Sequence, residues 1–287
     1  MNRPHLPVLL DEVLENLAPV RGGRYIDGTV GAGGHAAAIL RASGPDGMLL
    51  GLDGDPEALE IARAILDEFN GRALLVRSNF KQLRAVAAVH DFIPAQGVLL
   101  DLGLSSIQLA NPARGFAFTS ESLDMRMDST TDLTAAELVN ELDERELADL
   151  IYRYGEEHLS RRIAKSIVAA RPIESAQQLA QVIQDAVGRH GRIHPATRTF
   201  QGLRLAVNHE LENLQLVLPQ LAQVLAPGGI AAVITFHSLE DRIVKQFFKA
   251  SPDWENLTKH TIKPRREEIL RNPRSRSAQL RVARRNA

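Results

Sequence analysis

Four short apolar runs in the first hundred residues, separated by helix-like sequence, constrain this chain more than any other feature. They are Arg24–Asp27 (RYID), Met48–Asp53 (MLLGLD), Ala73–Arg77 (ALLVR) and residues 98–101 (VLLD). Continuous Val/Leu runs of this length, alternating with helices, predict a parallel sheet covered on both faces. Helices are expected over about 35–42 and over 56–70. In the second, Asp55 is placed as the N-cap and Pro56 occupies the first helical position.

After Leu104 the rhythm changes. Residues 108–198 carry helical patterns over 135–142, 144–154, 159–170 and 175–187, with Ser175 as a cap, and no strand pattern. A long helix is then expected over about 201–225, closed by Ala226-Pro-Gly-Gly229, followed by a buried strand over 230–236 (IAAVITF). A sheet interrupted by about 90 helical residues and then resumed implies an inserted domain. The expected division is a discontinuous α/β domain, 1–107 with 199–287, and a helical insertion, 108–198.

Composition narrows the class. The chain has no cysteine, which excludes disulfides and thiolate metal ligands. No apolar run reaches membrane-spanning length and the N-terminus has no secretory-signal pattern, so a cytoplasmic protein without a membrane partner is expected. A net charge of −1 conceals an uneven distribution, since residues 259–287 hold ten Lys or Arg against two Glu. A basic tail on an acidic body suggests a polyanionic partner. The tail has no interleaved aromatic residue, so it reads as a phosphate-contacting element rather than a base-stacking platform. A solvated, partly disordered tail explains the charge equally well.

The stretch Asp27-Gly-Thr-Val-Gly31-Ala-Gly33-Gly34-His35 ends the first strand and opens a helix. Gly31, Gly33 and Gly34 allow a tight turn and let a ligand lie against backbone. Twenty residues after Gly33, strand two ends in Asp53, placed to accept hydrogen bonds from ribose hydroxyls. Asn79-Phe80, past strand three, offers an amide and a ring beside an adenine. Residues 31–36 also satisfy G-x-G-x-x-A, so glycines alone leave a dinucleotide, and hence an NAD(P)-dependent oxidoreductase, open. Asp27 favours S-adenosylmethionine: a carboxylate before the turn suits a cationic amino-acid moiety and repels a pyrophosphate.

Strand four ends in Asp101-Leu-Gly-Leu-Ser105-Ser106, followed by Ile107-Gln108-Leu109. The Asn/Asp-Pro-Pro-aromatic tetrad common among nucleobase amino-methyltransferases is missing here. Asp101 is the candidate acceptor or base, with Ser105 or Ser106 positioning the substrate; an orienting carboxylate without proton transfer is the equal alternative. A second cluster, Thr235-Phe-His237-Ser238-Leu-Glu-Asp241-Arg242, offers His237 toward the same cleft, with Ser238 read as a helix cap and Asp241 three residues on. His5 is a further candidate from the N-terminus. There is no G-x-S-x-G elbow and no H-E-x-x-H spacing, so neither a hydrolase nor a metal site is expected.

These motifs together resemble the RsmH (MraW) family of bacterial ribosomal RNA methyltransferases. The matching stretches are His5-Leu-Pro-Val-Leu-Leu-Asp-Glu, Asp27-Gly-Thr with Gly33-Gly-His35, Asp101-Leu-Gly-Leu-Ser-Ser with Gln108-Leu, and Arg114-Gly-Phe. They continue with Leu123-Asp-Met-Arg-Met-Asp128, Tyr154-Gly-Glu-Glu, and His194-Pro-Ala-Thr-Arg-Thr-Phe-Gln201. Phe236-His-Ser-Leu-Glu-Asp-Arg242 and Asn272-Pro-Arg-Ser-Arg-Ser-Ala-Gln-Leu-Arg281 complete a set spanning nearly the whole chain. The resemblance implies a Rossmann-like class I methyltransferase sheet with a helical insertion that helps recognise substrate. It implies N4-methylation of a cytosine in the decoding region of 16S RNA in the small ribosomal subunit, with S-adenosylmethionine as cofactor. Carried over, the cofactor contacts are Gly33, Gly34, His35, Asp53, Phe80, Asp101 and Gln108, to which the residue reading adds Asp27 and Gly31.

Substrate contacts are expected from His5, Ser238, Arg242, Arg274 and Arg276. The family's Asp-Gly-Pro before Leu-Asp-Met-Arg-Met is here Ser120-Glu121-Ser122, and an acidic residue after Gln-Leu is here Ala110, which bears on fine substrate contacts. An amino group inside stacked RNA is inaccessible, so the target cytosine must be splayed out. An RNA-binding assembly factor without chemistry and a DNA cytosine methyltransferase remain alternatives, and the sequence leaves a homodimer open.

Overall fold

A computed structural model describes residues 6–188 and 193–287. The chain divides into two compact units, Met1–Gly103 with Leu211–Ala287, and Leu104–Glu210. The helical unit therefore begins four residues before the expected boundary and ends twelve after it.

In chain order the first unit opens with α1 (Leu10–Leu17), β1 (Arg24–Asp27), α2 (Gly34–Ala42), β2 (Met48–Asp53) and α3 (Pro56–Leu66). It continues with β3 (Ala73–Arg77), α4 (Leu83–Val89) and β4 (Ala95–Asp101). The helical unit contributes α5 (Ser106–Ala110), α6 (Ala135–Glu141), α7 (Glu144–Gly155), α8 (Ser160–Ala169), α9 (Ala176–Val187) and α10 (Thr197–Asn208). The first unit then resumes with α11 (Glu210–Val224), β5 (Leu225–Thr235), α12 (Ser238–Ala250), β6 (Trp254–Asn256), α13 (Arg266–Arg271) and β7 (Gln279–Arg285).

The seven strands form one sheet in the order β3-β2-β1-β4-β5-β7-β6. β1 to β5 run parallel; β7 pairs antiparallel with both β5 and β6. Side chains alternate strictly between two cores. Leu49, Leu99, Ala232, Ile234, Leu280 and Val282 face one, with α1, α2 and α3. Leu50, Leu52, Val98, Leu100, Ala231, Val233 and Ala283 face the other, with α4, α11 and α12. Both faces are covered, which is why the strands read as unbroken apolar runs. From β1 the chain winds outward through β2 and β3, then returns to the other side of β1 through β4. The carboxyl ends of β1 and β4 thus border a topological switch point, where open α/β sheets bind ligands.

Three expectations change. The single helix over 201–225 is two helices, because His209 adopts φ 50° and ends α10. The 230–236 strand is longer, beginning at Leu225. The basic tail, moreover, is folded: β7 inserts between β5 and β6, and Leu280, Val282 and Ala283 are fully buried.

The helical unit has its own core, with Leu147, Ile151, Ile163, Ile167, Leu179, Ile183 and Leu203 at its centre. Reciprocal caps start α6 (Thr134 with Glu137) and α7 (Asp143 with Glu146). Among the described residues no helix is long and apolar enough to cross a membrane, and no cluster of His, Asp and Glu is placed to hold a metal ion.

Candidate active site

Four carboxylates gather where the parallel strands of the first unit end. Asp27 is the last residue of β1 and is buried. Its Oδ1 accepts from the Thr29 backbone N–H at 3.1 Å and from the Thr29 hydroxyl at 3.4 Å. Burial, with the Asp53 charge adding to it, pushes the Asp27 carboxyl up to about 7. Asp53 ends β2; its Oδ2 accepts from Gly31 N–H and its Oδ1 from Asp55 N–H, both at 2.9 Å. Burial pushes this carboxyl up to about 6, against the lowering effect of those backbone donors.

Asp53 therefore does more than await a ribose. It also fastens the glycine turn through Gly31. Each carboxylate oxygen offers further lone pairs, so two hydroxyls can still be accepted. Gly31 and Gly33 take φ of 52° and 86°, a left-handed conformation that favours glycine. Gly33 is the residue from which α2 starts, and it lies against Ala62 of α3. The N–H groups that begin α2 consequently face the same end of the sheet.

Asp101 ends β4. Its backbone N–H donates to the Thr29 hydroxyl at 2.6 Å, which ties the end of β4 to the turn after β1. Its Oδ1 is buried and has no hydrogen-bond partner among the described residues. Burial, with Asp27 and Glu240 as like-charged neighbours, holds this carboxyl well above the usual range. Asp101 Oδ2 stands 3.6 Å from Nδ1 of His35, the second residue of α2. His35 is buried, and its Nε2 donates to the Val8 carbonyl at 2.9 Å. That bond leaves the lone pair of Nδ1 facing Asp101 in the neutral ring.

The chain before α1 closes this arrangement from outside. Pro7 packs on Gly34, Val8 holds His35, and Leu9 N–H donates to Glu268 of α13 at 2.9 Å. Asn272 adds a bond to the Leu6 carbonyl at 3.0 Å. The C-terminal segment thus anchors the N-terminal strap that orients His35.

Glu240 on α12 is the fourth carboxylate, buried, with Oε2 accepting from Phe236 N–H at 2.9 Å. The expected cap of this helix is corrected. The N-cap is His237, whose Nδ1 accepts from Glu240 N–H at 3.4 Å, while Ser238 is already helical and exposed. Asp241 makes no cap; it binds Arg281 of β7 through two bonds of 2.7 and 2.9 Å. His237 Nε2 sits 3.1 Å from Glu240 Oε1 and is buried, with no hydrogen bond among the described residues.

The structure brings Asp27, Gly31, Gly33, Gly34, His35, Asp53 and Asp101 to one end of the sheet. Phe80, opening the turn after β3, lies against Gly28 at that same end. Arg242, Arg274 and Arg276 are exposed on the first unit. Ser105 and Gln108 belong to the helical unit, where they cap α5 reciprocally: Ser105 Oγ accepts from Gln108 N–H at 3.2 Å, and Gln108 Oε1 from Ser105 N–H at 3.1 Å. His5 and the side chain of Ser106 lie outside the described residues. Sequence reasoning missed Thr29 and Glu240. The first sat in view inside the glycine motif; the second is recognisable only once α12 is packed.

The sequence model of the MraW methylase family matches residues 2–286. The chain belongs to this family. It is 49% identical to the ribosomal RNA small subunit methyltransferase H of Thermomicrobium roseum, across 100% of this chain and 95% of that protein. The protein of the same name from Dehalococcoides mccartyi is 48% identical, covering 98% of this chain and 86% of the relative. That from Nostoc is 49% identical, with 99% and 93% covered. Membership in the MraW methylase family makes the chain a methyltransferase, and its sheet is the class I methyltransferase sheet. The acid cluster fits that chemistry: buried carboxylates with raised proton affinity, one bearing an unpartnered oxygen, suit a cation and disfavour a pyrophosphate.

Proposed function

We propose that the protein transfers the methyl group of S-adenosylmethionine to N4 of a cytosine in the decoding region of 16S RNA, within the small ribosomal subunit in the cytoplasm. The observation that carries the catalytic half is Asp101, a carboxylate at the switch point with one buried oxygen left unsatisfied. The relatives' name, a methyltransferase of small-subunit ribosomal RNA, supports the substrate.

When bound, S-adenosylmethionine supplies an electrophilic methyl carbon on a sulfonium. The chain must then hold it, aim the amine and take a proton. Asp53 and the N–H groups of the glycine turn would hold the nucleoside portion, and Asp27 would attract the cationic amino-acid end. An exocyclic cytosine amine is a weak nucleophile, because its lone pair is delocalised into the ring. Asp101 Oδ1 would accept an N4 hydrogen, keep the amine in line with the donor, and take the proton the amine loses when the methyl group passes from sulfur to nitrogen. A nearby cation favours the ionised form of Asp101, and its raised proton affinity suits it to act as base. His35, fixed by the Val8 carbonyl, stands with its ring edge 3.6 Å from Asp101 Oδ2.

The test is nucleoside mass spectrometry of 16S RNA from cells lacking the protein. N4-methylated cytosine should disappear and return with the intact gene. An unchanged signal overturns the proposal.

A further inference from the structure

Two helices of the helical unit, α8 and α10, carry basic residues and no acid, and α8 carries the more. Its sequence, SRRIAKSIVA, carries Arg161, Arg162 and Lys165 with no acidic residue, and all three are exposed. Lys165 lies four residues after Arg161 and three after Arg162, so it neighbours both on the helix surface. Ile163, Ala164 and Ile167 on the opposite face fill the core. None of the three cations pairs with a carboxylate among the described residues. By contrast, Arg198 of α10 stands 3.8 Å from Glu157 and Arg204 binds Glu210 at 2.8 Å. Glu157, the acid nearest in sequence, is committed elsewhere: it accepts from Leu159 N–H at 2.9 Å as well as facing Arg198.

An aromatic pair stands just before α8 in the chain. Tyr152, near the end of α7, is 57% exposed, and its ring meets the ring of His158 at 6.1 Å, edge to face. His158 stands in the turn that leads into α8 and is exposed. Unpaired cations beside exposed rings are what a single-stranded polynucleotide requires, cations for phosphates and rings for bases. The C-terminal tail lacks that pairing and has committed several of its cations to folding, Arg281 to Asp241, Arg284 to Glu255 and Arg265 to Glu12.

We infer that the exposed face of α8, together with Tyr152 and His158, is a docking surface for the RNA of the substrate subunit. Phosphates lie on Arg161, Arg162 and Lys165, and an unstacked base lies on Tyr152 or His158. The inference rests on the proposed RNA substrate and adds the place where that RNA is held.

The test uses the full chain and the triple variant R161Q/R162Q/K165Q, titrated with small subunits and with protein-free 16S RNA between 50 and 200 mM salt. Affinity for both should fall about tenfold or more at the higher salt. The slope of log affinity against log salt should shrink by about 2, from roughly 0.7 per lost single-strand phosphate contact. Y152A should weaken binding about fivefold or more with the slope unchanged, since stacking releases no counterion. The charge-keeping variant R161K/R162K/K165R should bind like the parent, and an unchanged thermal transition excludes misfolding. Unaltered affinity and slope in the triple variant overturn the inference. Loss of subunit binding with protein-free RNA binding intact assigns the face to a ribosomal protein and overturns it as well. If the parent methylates no small-subunit RNA at all, it is the proposed function that fails.

Discussion

At the scale of single residues, Asp27 and Asp53 are carboxyls whose folded values, about 7 and about 6, stand above the ordinary value near 4. The free protein therefore binds more protons folded than unfolded between pH 4 and 7. The stability these two groups lend is complete below pH 4 and is lost as pH rises through 6 and then 7. The melting temperature of the free protein should accordingly fall from pH 5 to pH 8, and less steeply in Asp27→Asn. A cationic ligand reverses the preference by favouring the ionised forms. S-adenosylmethionine affinity should rise over the same range, with net proton release near pH 6.5. Calorimetry in buffers of different ionisation enthalpy measures that release, and none detected would detach the acids from the cofactor. Asp53 and Asp101 should separate kinetically. Asp53→Ala removes the acceptor for Gly31 N–H and should chiefly weaken cofactor binding. Asp101→Asn keeps the shape and should lower kcat by about 10²- to 10⁴-fold, with a smaller effect on cofactor Kd. If Asp101→Asn loses only cofactor affinity, Asp101 orients and takes no proton.

At the scale of elements, legibility in the sequence follows the range of the forces. The strands β1 to β4 and the glycine turn are local patterns, so they stand in the sequence with nearly their observed bounds. β7 does not, because its alternation is masked by Arg281, an arginine that burial tolerates only beside Asp241, forty residues earlier. The same pair explains the mistaken cap: Asp241 has the right spacing from Ser238 for a capping partner, yet β7 claims it. The break at His209 is likewise silent, since the apolar period runs on from α10 into α11. Asp241→Ala leaves the Arg281 guanidinium inside without its counter-charge and should cost about 3–5 kcal/mol, readable by urea denaturation. Replacing both residues by apolar ones of similar size, Asp241→Leu with Arg281→Met, should recover most of that loss. A double variant as unstable as the single one would show that packing around β7, not the stranded charge, sets the cost.

For the molecule as a whole, the two units hold separate hydrophobic cores, and the acid cluster belongs entirely to the unit that carries the sheet. A ligand at the ends of β1, β2 and β4 therefore acts directly on that unit's folding. The chain offers a reporter for it: its one tryptophan, Trp254, is buried in the sheet-bearing unit, with its ring 5.2 Å from that of Phe248. The helical unit has no tryptophan, so the 222 nm ellipticity is needed to follow it. At S-adenosylmethionine concentrations a hundred times Kd, the sheet-bearing unit should gain about 2.7 kcal/mol by mass action. Tryptophan fluorescence during urea titration should then move to higher urea, while the ellipticity transition splits and its helical-unit component stays in place. Should both signals shift together by the same amount, the separate cores unfold as one cooperative block. Binding at the strand ends would then be felt throughout α6 to α10.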